Sequence, residues 1–385
     1  MTSPYTIQDH LGFYLQHSIS PVRQDISDLS RHLQRRGNLY RSLGMNELAF
    51  AGSRVLEVGP GSGHNSLLVA SWLPDALDLL EPNPTGRAGI EQLYEGFQLP
   101  HTQPNVVPET LQDFAPDELY DIAIAEAWIG GTPDELKLMQ KMASLVRPGG
   151  VLITTVTSPI SMLANTFRRI LGDLLIVGID DINEQTRVLD EAFGSHLNTM
   201  ADMSRPHEDW IQDSLLNPGF LTSSLTIEKF FDCIGGGATF HNSYPRVHTD
   251  WRWYKSLYGE QAQFNERFIE SYYKECHNLY DFRTTLKPRT IEHNKQLEAC
   301  SERLVTLVAD SWNKSTLPPS DDVLECTHKI REAIAHTSEE WAESVDDFIA
   351  LYSKDGLTAA DCDAAIHLKP IFGRELLYMA MQRHS

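Results

Sequence analysis

The sequence predicts an α/β fold with a doubly wound parallel sheet, helices ahead of the sheet and a helical C-terminal extension behind it. Three observations point to it. Between residues 52 and 157, short β-rich runs alternate with helical stretches, the pattern of strands joined by crossover helices. Several of the runs are almost continuously apolar, as strands covered on both faces must be. The first run leads into a glycine-rich turn and then an apparent helix start.

The chain has 385 residues, of which 41% are hydrophobic and 22% charged, the balance of an ordinary globular protein. Residues 1–50 read as a helical cap. Ile7, Leu11, Tyr14 and Leu15 share one helical face. Ser20-Pro21 reads as an N-cap with proline at the first helical position, and Val22, Ile26, Leu29 and Leu33 follow at helical spacing. Gly37 is the expected stop. The α/β domain is expected over 51–258. Its predicted strands are 54–59, 77–81, 105–108, 120–126 and 150–156, the last entered through Pro148-Gly149-Gly150. Residues 158–225 read as an insert of helices and loops. Ile227, Phe230, Phe231 and Ile234 predict a helix over 226–234, broken by three glycines, with a strand over 238–248. From 261 the chain reads as helical, with Leu297, Cys300, Leu304, Leu307 and Val308 as one stripe and 313–322 as a loop, so 259–385 forms a helical C-terminal region.

Thirty-two basic residues against 53 acidic ones give a net charge of −21, which repels phosphate backbones and anionic lipid. Neither nucleic acid nor a membrane is expected as partner. No apolar run reaches the roughly 20 residues of a bilayer span, and MTSPYTIQDH lacks the basic and apolar parts of a secretory signal. Five scattered cysteines without a CxxC fit a reducing cytoplasm and small buried side chains, with no disulfide framework or zinc site. The oligomeric state is not legible.

The most informative stretch is Glu57-Val58-Gly59-Pro60-Gly61-Ser62-Gly63-His64. Its glycines allow positive φ and a close approach to the backbone, and the helix that follows offers free N–H groups. The spacing is G-x-G-x-G. His64 stands where a dinucleotide fingerprint needs its third glycine, and no Gly-Lys-Ser/Thr follows for a phosphate loop. Glu57 disfavours a pyrophosphate and suits a cationic ligand. Glu81 closes the second strand, where a carboxylate can accept from both ribose hydroxyls of a nucleoside.

This combination, E-x-G-x-G-x-G after the first strand, an acid closing the second and R-P-G-G before the fifth, resembles the class I S-adenosylmethionine-dependent methyltransferases over about residues 52–157. The resemblance implies a Rossmann-like methyltransferase sheet with S-adenosyl-L-methionine as cofactor. It places Gly59, Gly61 and Gly63 beneath the methionine part of the ligand, Glu57 near its ammonium and Glu81 on the ribose. Glu109 falls at the place of an acid that recognises the adenine amino group, with Asp113 competing for it. Glu126, ending the fourth strand, faces the cofactor and acceptor. The fourth strand runs into Glu126-Ala127-Trp128-Ile129 rather than Asn-Pro-Pro and an aromatic, a departure from the enzymes that methylate exocyclic base nitrogens or glutamine amides.

Transfer from a sulfonium is an in-line displacement, so the protein chiefly aligns two reactants and excludes water; a base is needed only for a protonated acceptor. Candidate acceptor-binding residues are Arg36, Tyr40, Trp128, His241, Tyr244 and Trp251, and candidate bases are His248 and His207. Arg31 and Arg35 fall on a solvated face, whereas Arg36 lies near the apolar side, where an arginine either pairs with a carboxylate or clamps an anion. Glu208 and Asp209 suit the first turn of a helix after Pro206. The segment 241–254 is dense in aromatic, His and Arg side chains, a mixture that walls a pocket for an organic molecule. The expected function is methyl transfer to a small-molecule metabolite or natural-product intermediate. The alternatives are a non-catalytic scaffold that binds the nucleoside, and a related aminopropyl-type transferase.

Overall fold

A computed structural model describes residues 10–221, 223–314 and 316–384. In chain order its elements begin with α1 (His10–His17), α2 (Leu29–Ser42) and α3 (Glu47–Phe50). The alternating region follows as β1 (Arg54–Val58), α4 (Ser66–Ser71), β2 (Ala76–Leu80), α5 (Pro84–Gly96), β3 (Asn105–Val107), β4 (Tyr120–Ala125), α6 (Pro133–Leu145) and β5 (Val146–Val156). Then come α7 (Pro159–Leu175), α8 (Ile182–Leu197), α9 (His207–Ile211), α10 (Ile227–Ile234) and β6 (Ala238–Tyr244). The chain closes with α11 (Phe264–Glu275), α12 (Ile291–Asn313), α13 (Ser320–Ala335), α14 (Glu339–Tyr352), α15 (Ala359–Asp363) and β7 (Leu377–Arg383).

The seven strands form one sheet in the order β3-β2-β1-β4-β5-β7-β6. β1 pairs in parallel with β2 and with β4, and β5 with β4, while β7 runs antiparallel between β5 and β6. The strand order therefore reverses between β1 and β4, the switch point beyond whose carboxyl ends doubly wound sheets hold their ligands. Val55, Leu77, Leu79, Ile122, Ile124 and Ile153 bury one face of the sheet against Leu67 and Val69 of α4, Ile90 of α5, and Tyr40 and Phe50.

Two compact units make up the chain. One contains Gln24–Thr157, Leu225–Glu275 and Leu376–Ser385, and holds the sheet. The other gathers the N-terminal segment through Arg23 with Ser158–Ser224 and Cys276–Glu375. In this helical unit α7 is buried from Pro159 to Gly172. Phe167 of α7 stacks on Phe348 of α14 at 4.3 Å. Arg168 donates to the carbonyls of Leu368 and Ile371 at 2.9 Å and lies over the Phe372 ring at 3.8 Å.

Several expectations need correction. Ser20-Pro21 starts no helix: residues 19–26 carry no regular structure, and the helix begins at Leu29, where the Asp28 side chain caps the Arg31 N–H. Gly37 does not stop that helix. It sits inside α2, which ends at Ser42, and Gly44 takes the positive φ of 78° beyond it. Leu11, Tyr14 and Leu15 lie on α1, whereas Ile7 falls outside the described residues. The chain beyond 261 is helical only until β7. Leu377, Met379, Ala380 and Met381 are buried there, and because leucine, methionine and alanine are also strong helix formers their run does not advertise a strand.

Candidate functional site

Strand β1 ends at the glycine turn. Gly59, Gly61 and Gly63 all have left-handed φ, at 72°, 59° and 78°. A side chain at any of them strains the backbone, so the bend requires these residues. At Gly59 and Gly63 the space is also taken. A Cβ on Gly59 would come within 3.0 Å of the Trp128 indole, and one on Gly63 within 3.0 Å of Ile90.

Glu81 follows β2 and turns back towards the bend. Its carboxylate accepts from the Gly61 N–H at 2.9 Å and from the Asn83 N–H at 2.8 Å. Gly86 of α5 makes this possible, because a Cβ there would lie 2.9 Å from the Gly61 carbonyl and 3.1 Å from the Glu81 carboxyl carbon. Burial pushes the Glu81 carboxyl up to about 7, against the two N–H groups that favour its ionised form. A carboxylate offers about four lone-pair sites, and two are used here.

Beneath the turn lies a buried polar cluster. The buried positions of α2 are His32, Arg36 and Tyr40, a row with spacing i, i+4, i+8. His32 Nε2 meets the His64 carbonyl at 2.8 Å, and His64 Nδ1 meets Ser62 Oγ at 2.9 Å. Arg36 donates to Glu126 at 2.7 Å, and the Tyr40 hydroxyl donates to the same oxygen at 3.4 Å. Glu57 faces this pair. Burial first, and the Glu126 charge second, push its carboxyl up to about 7, and its Oε2 is buried without a hydrogen bond. Burial, with the Glu57 charge behind it, also holds the Tyr94 hydroxyl far above its ordinary value.

After β4 the chain makes a sharp turn. Ala127 has φ 67°, uncommon for a residue with a side chain, and its N–H donates to Thr155 Oγ1 at 2.8 Å. Trp128 Nε1 donates to the Val58 carbonyl at 2.9 Å. The ends of β1, β2 and β4 thus bring Glu57, Gly59, Gly61, Gly63, Glu81, Glu126 and Trp128 together at one end of the sheet, with the buried Arg36 and Tyr40 of α2 beneath them. Glu109 is exposed just after β3, and Asp113 is engaged in a local turn with Thr110.

The remaining candidates lie elsewhere. His248 Nδ1 meets Ser271 Oγ at 2.8 Å, its Nε2 is buried without a hydrogen bond, and its ring lies near Phe240. Burial lowers its pKa. His207 begins α9 in the helical unit and meets Asp190 at 3.1 Å. His241 of β6 packs its imidazole on Gly44, while Tyr244 and Trp251 are exposed, Trp251 at 91%. Sequence reasoning missed His32, Tyr94 and Ala127. The i+4 row of His32, Arg36 and Tyr40 is a signal that was available; a strained alanine leaves none. Among the described residues no cluster of His, Cys, Asp and Glu could hold a metal ion, and no helix is long and apolar enough to cross a membrane.

The family model described as a methyltransferase domain matches residues 26–189. Over these residues the chain is thus similar to a methyltransferase domain. Across 143 residues the chain is 30% identical to the ubiquinone biosynthesis O-methyltransferase of Aeromonas salmonicida (strain A449), which covers 36% of this chain and 52% of that protein. The chain therefore spans about half the length of the curated relative it matches. Among solved structures, the N-methyltransferase NodS from Bradyrhizobium japonicum WM9, in complex with S-adenosyl-L-homocysteine, is 18% identical, covers 38% of this chain and 74% of its own, and has a TM-score of 0.30. The magnesium protoporphyrin IX methyltransferase from Synechocystis PCC 6803, with bound S-adenosylmethionine, is 14% identical, covers 40% and 79%, and has a TM-score of 0.32. The residues of the methyltransferase domain fit that cofactor: Glu81 keeps lone pairs to spare, the glycine bend leaves backbone exposed beside it, and Glu57 supplies an orphaned buried oxygen.

Proposed function

We propose that the whole protein transfers a methyl group from S-adenosylmethionine to a small-molecule metabolite or natural-product intermediate. The observation that carries this reading is the Glu81 carboxylate bonded to the Gly61 N–H across the glycine bend, at the point where the strand order reverses. The bound cofactor would supply a methyl group already activated on a sulfonium.

On this reading Glu81 holds the two ribose hydroxyls with the lone pairs left by Gly61 and Asn83, and Glu57 with Glu126 sets a negative potential that suits a cation. Arg36 keeps Glu126 in place and has an Nε without a hydrogen bond for an anionic group. Glu109 remains the candidate for the adenine amino group. Trp128 stands beside the glycine bend, whereas Tyr40 is buried in the core against Phe50 and Trp72 and offers its hydroxyl to Glu126. We read His248 as a packing residue, because Ser271 engages one of its nitrogens and burial covers the other. A net charge of −21 supports a small acceptor over nucleic acid.

Dialysed protein mixed with methyl-labelled S-adenosylmethionine and a metabolite extract tests the reading. The expected result is label in a small extractable product, lost in Gly61→Val. Donor binding without a labelled product would make the protein a scaffold, and a product mass that reports an aminopropyl group would make it a different transferase; either result overturns the proposal.

A further inference from the structure

The Glu126-Ala127-Trp128 turn has features that donor binding alone does not demand. The half-buried indole lies across the carboxyl end of β1, donates to the Val58 carbonyl at 2.9 Å, and sits 3.0 Å from where a Gly59 Cβ would be. The indole thus stands on the side of the first glycine where a Cβ would lie, while the Gly59 backbone stays exposed. The residue that aims the indole, Ala127, is exposed and left-handed at φ 67°. Nothing about an exposed alanine demands that conformation; it is strained, and such strain persists where the surroundings enforce it. Here the enforcing contacts are the Thr155 hydroxyl on the Ala127 N–H, the indole on Val58, and Arg36 on Glu126.

We propose that Trp128 is a gate on the donor seat: its indole occupies the Val58 carbonyl beside Gly59, and the donor takes that carbonyl when Trp128 swings away and Ala127 relaxes. The inference rests on the donor reading above. An indole N–H and an ammonium are both hydrogen-bond donors, so each can take the same backbone carbonyl. The amino-acid end of the donor therefore replaces the indole at Val58, and the open fraction of the gate sets the apparent affinity.

Two substitutions move the gate in opposite directions. Trp128→Phe removes the N–H that holds the gate shut, so S-adenosylhomocysteine should bind about three- to tenfold tighter. Ala127→Gly removes the strain that favours opening, so binding should weaken about two- to fivefold. Calorimetric titration reads both. Tryptophan emission gives an independent readout: titrating the wild type should shift emission as the indole leaves its contacts, and Trp128→Phe, which keeps the other six tryptophans, should lose that shift. Unchanged or weaker binding in Trp128→Phe overturns the gate and leaves the donor reading standing. A wild-type protein that binds no S-adenosylhomocysteine removes the donor reading and the gate with it.

Discussion

At the scale of single residues, this end of the sheet is governed by acids held out of water. Arg36 and Glu126 form an ion pair whose side chains are only 10% and 11% exposed. Removing one partner of such a pair strands the other, so Arg36→Ala should cost about 3–5 kcal/mol in denaturant unfolding, and adding Glu126→Gln should recover part of it. A loss below about 1 kcal/mol would show the pair to be solvated in practice. Glu81 makes a pH prediction. Its carboxyl sits at about 7 in the fold, against an ordinary value near 4.5. The folded state therefore holds a proton that the unfolded chain releases, and stability falls as the pH rises from about 4.5 to 7. Hydroxyl donors favour the ionised carboxylate, so affinity for S-adenosylhomocysteine should rise about three- to tenfold between about pH 6 and 8. Glu81→Gln should flatten the rise, and a flat wild-type profile would contradict the role. The glycines and Glu81 were legible because a tight bend and a nucleoside's hydroxyls restrict residue type. The approach of Trp128 to Gly59 was not, because the two are 69 positions apart, joined by the pairing of β1 with β4.

At the scale of elements, the parallel strands announce themselves and the edges do not. β1, β2, β3 and β4 begin and end within one residue of their predicted limits, because continuous apolar runs between glycine, proline and acidic boundaries have few alternatives. β5 reaches four residues further back, through a bulge at 147–150. β7 escaped because its leucine, alanine and methionines suit a helix equally, and only its partners β5 and β6 decide the matter. A chain ending at Glu375 lacks that inner strand, leaves two edges unpaired and should not unfold cooperatively by circular dichroism. An intact transition would contradict the strand's place. α2 offers a milder test. Gly37 lies inside the helix with an ordinary φ, and a Cβ there would meet only Trp72, at 3.9 Å. Gly37→Ala should stabilise the protein by about 0.5–1 kcal/mol; destabilisation would restore the stop that the sequence suggested.

At the scale of the molecule, the chain builds its two units from interleaved segments. The helical unit takes Ser158–Ser224 and Cys276–Glu375 from either side of α10, β6 and α11, together with the N-terminal segment. Hydrophobic periodicity locates helices and says nothing of which distant segment completes a core, so this partition was beyond the reach of the sequence. The methyltransferase domain was within it, because its signals are local and occur in a fixed order. Tyr244 and Trp251 are exposed, and His207 and His248 are engaged by Asp190 and Ser271, so the labelled-donor experiment is the route to the acceptor. The central claim is that the bend at 59–63, with the carboxylate of Glu81 beside it, seats the donor nucleoside. Calorimetric titration of wild-type and Gly61→Val protein with S-adenosylhomocysteine tests it most directly: we expect one-site binding in the wild type and none in the variant, whose circular dichroism should stay native. An absence of heat in the wild type, or equal affinity in the two, would contradict the account.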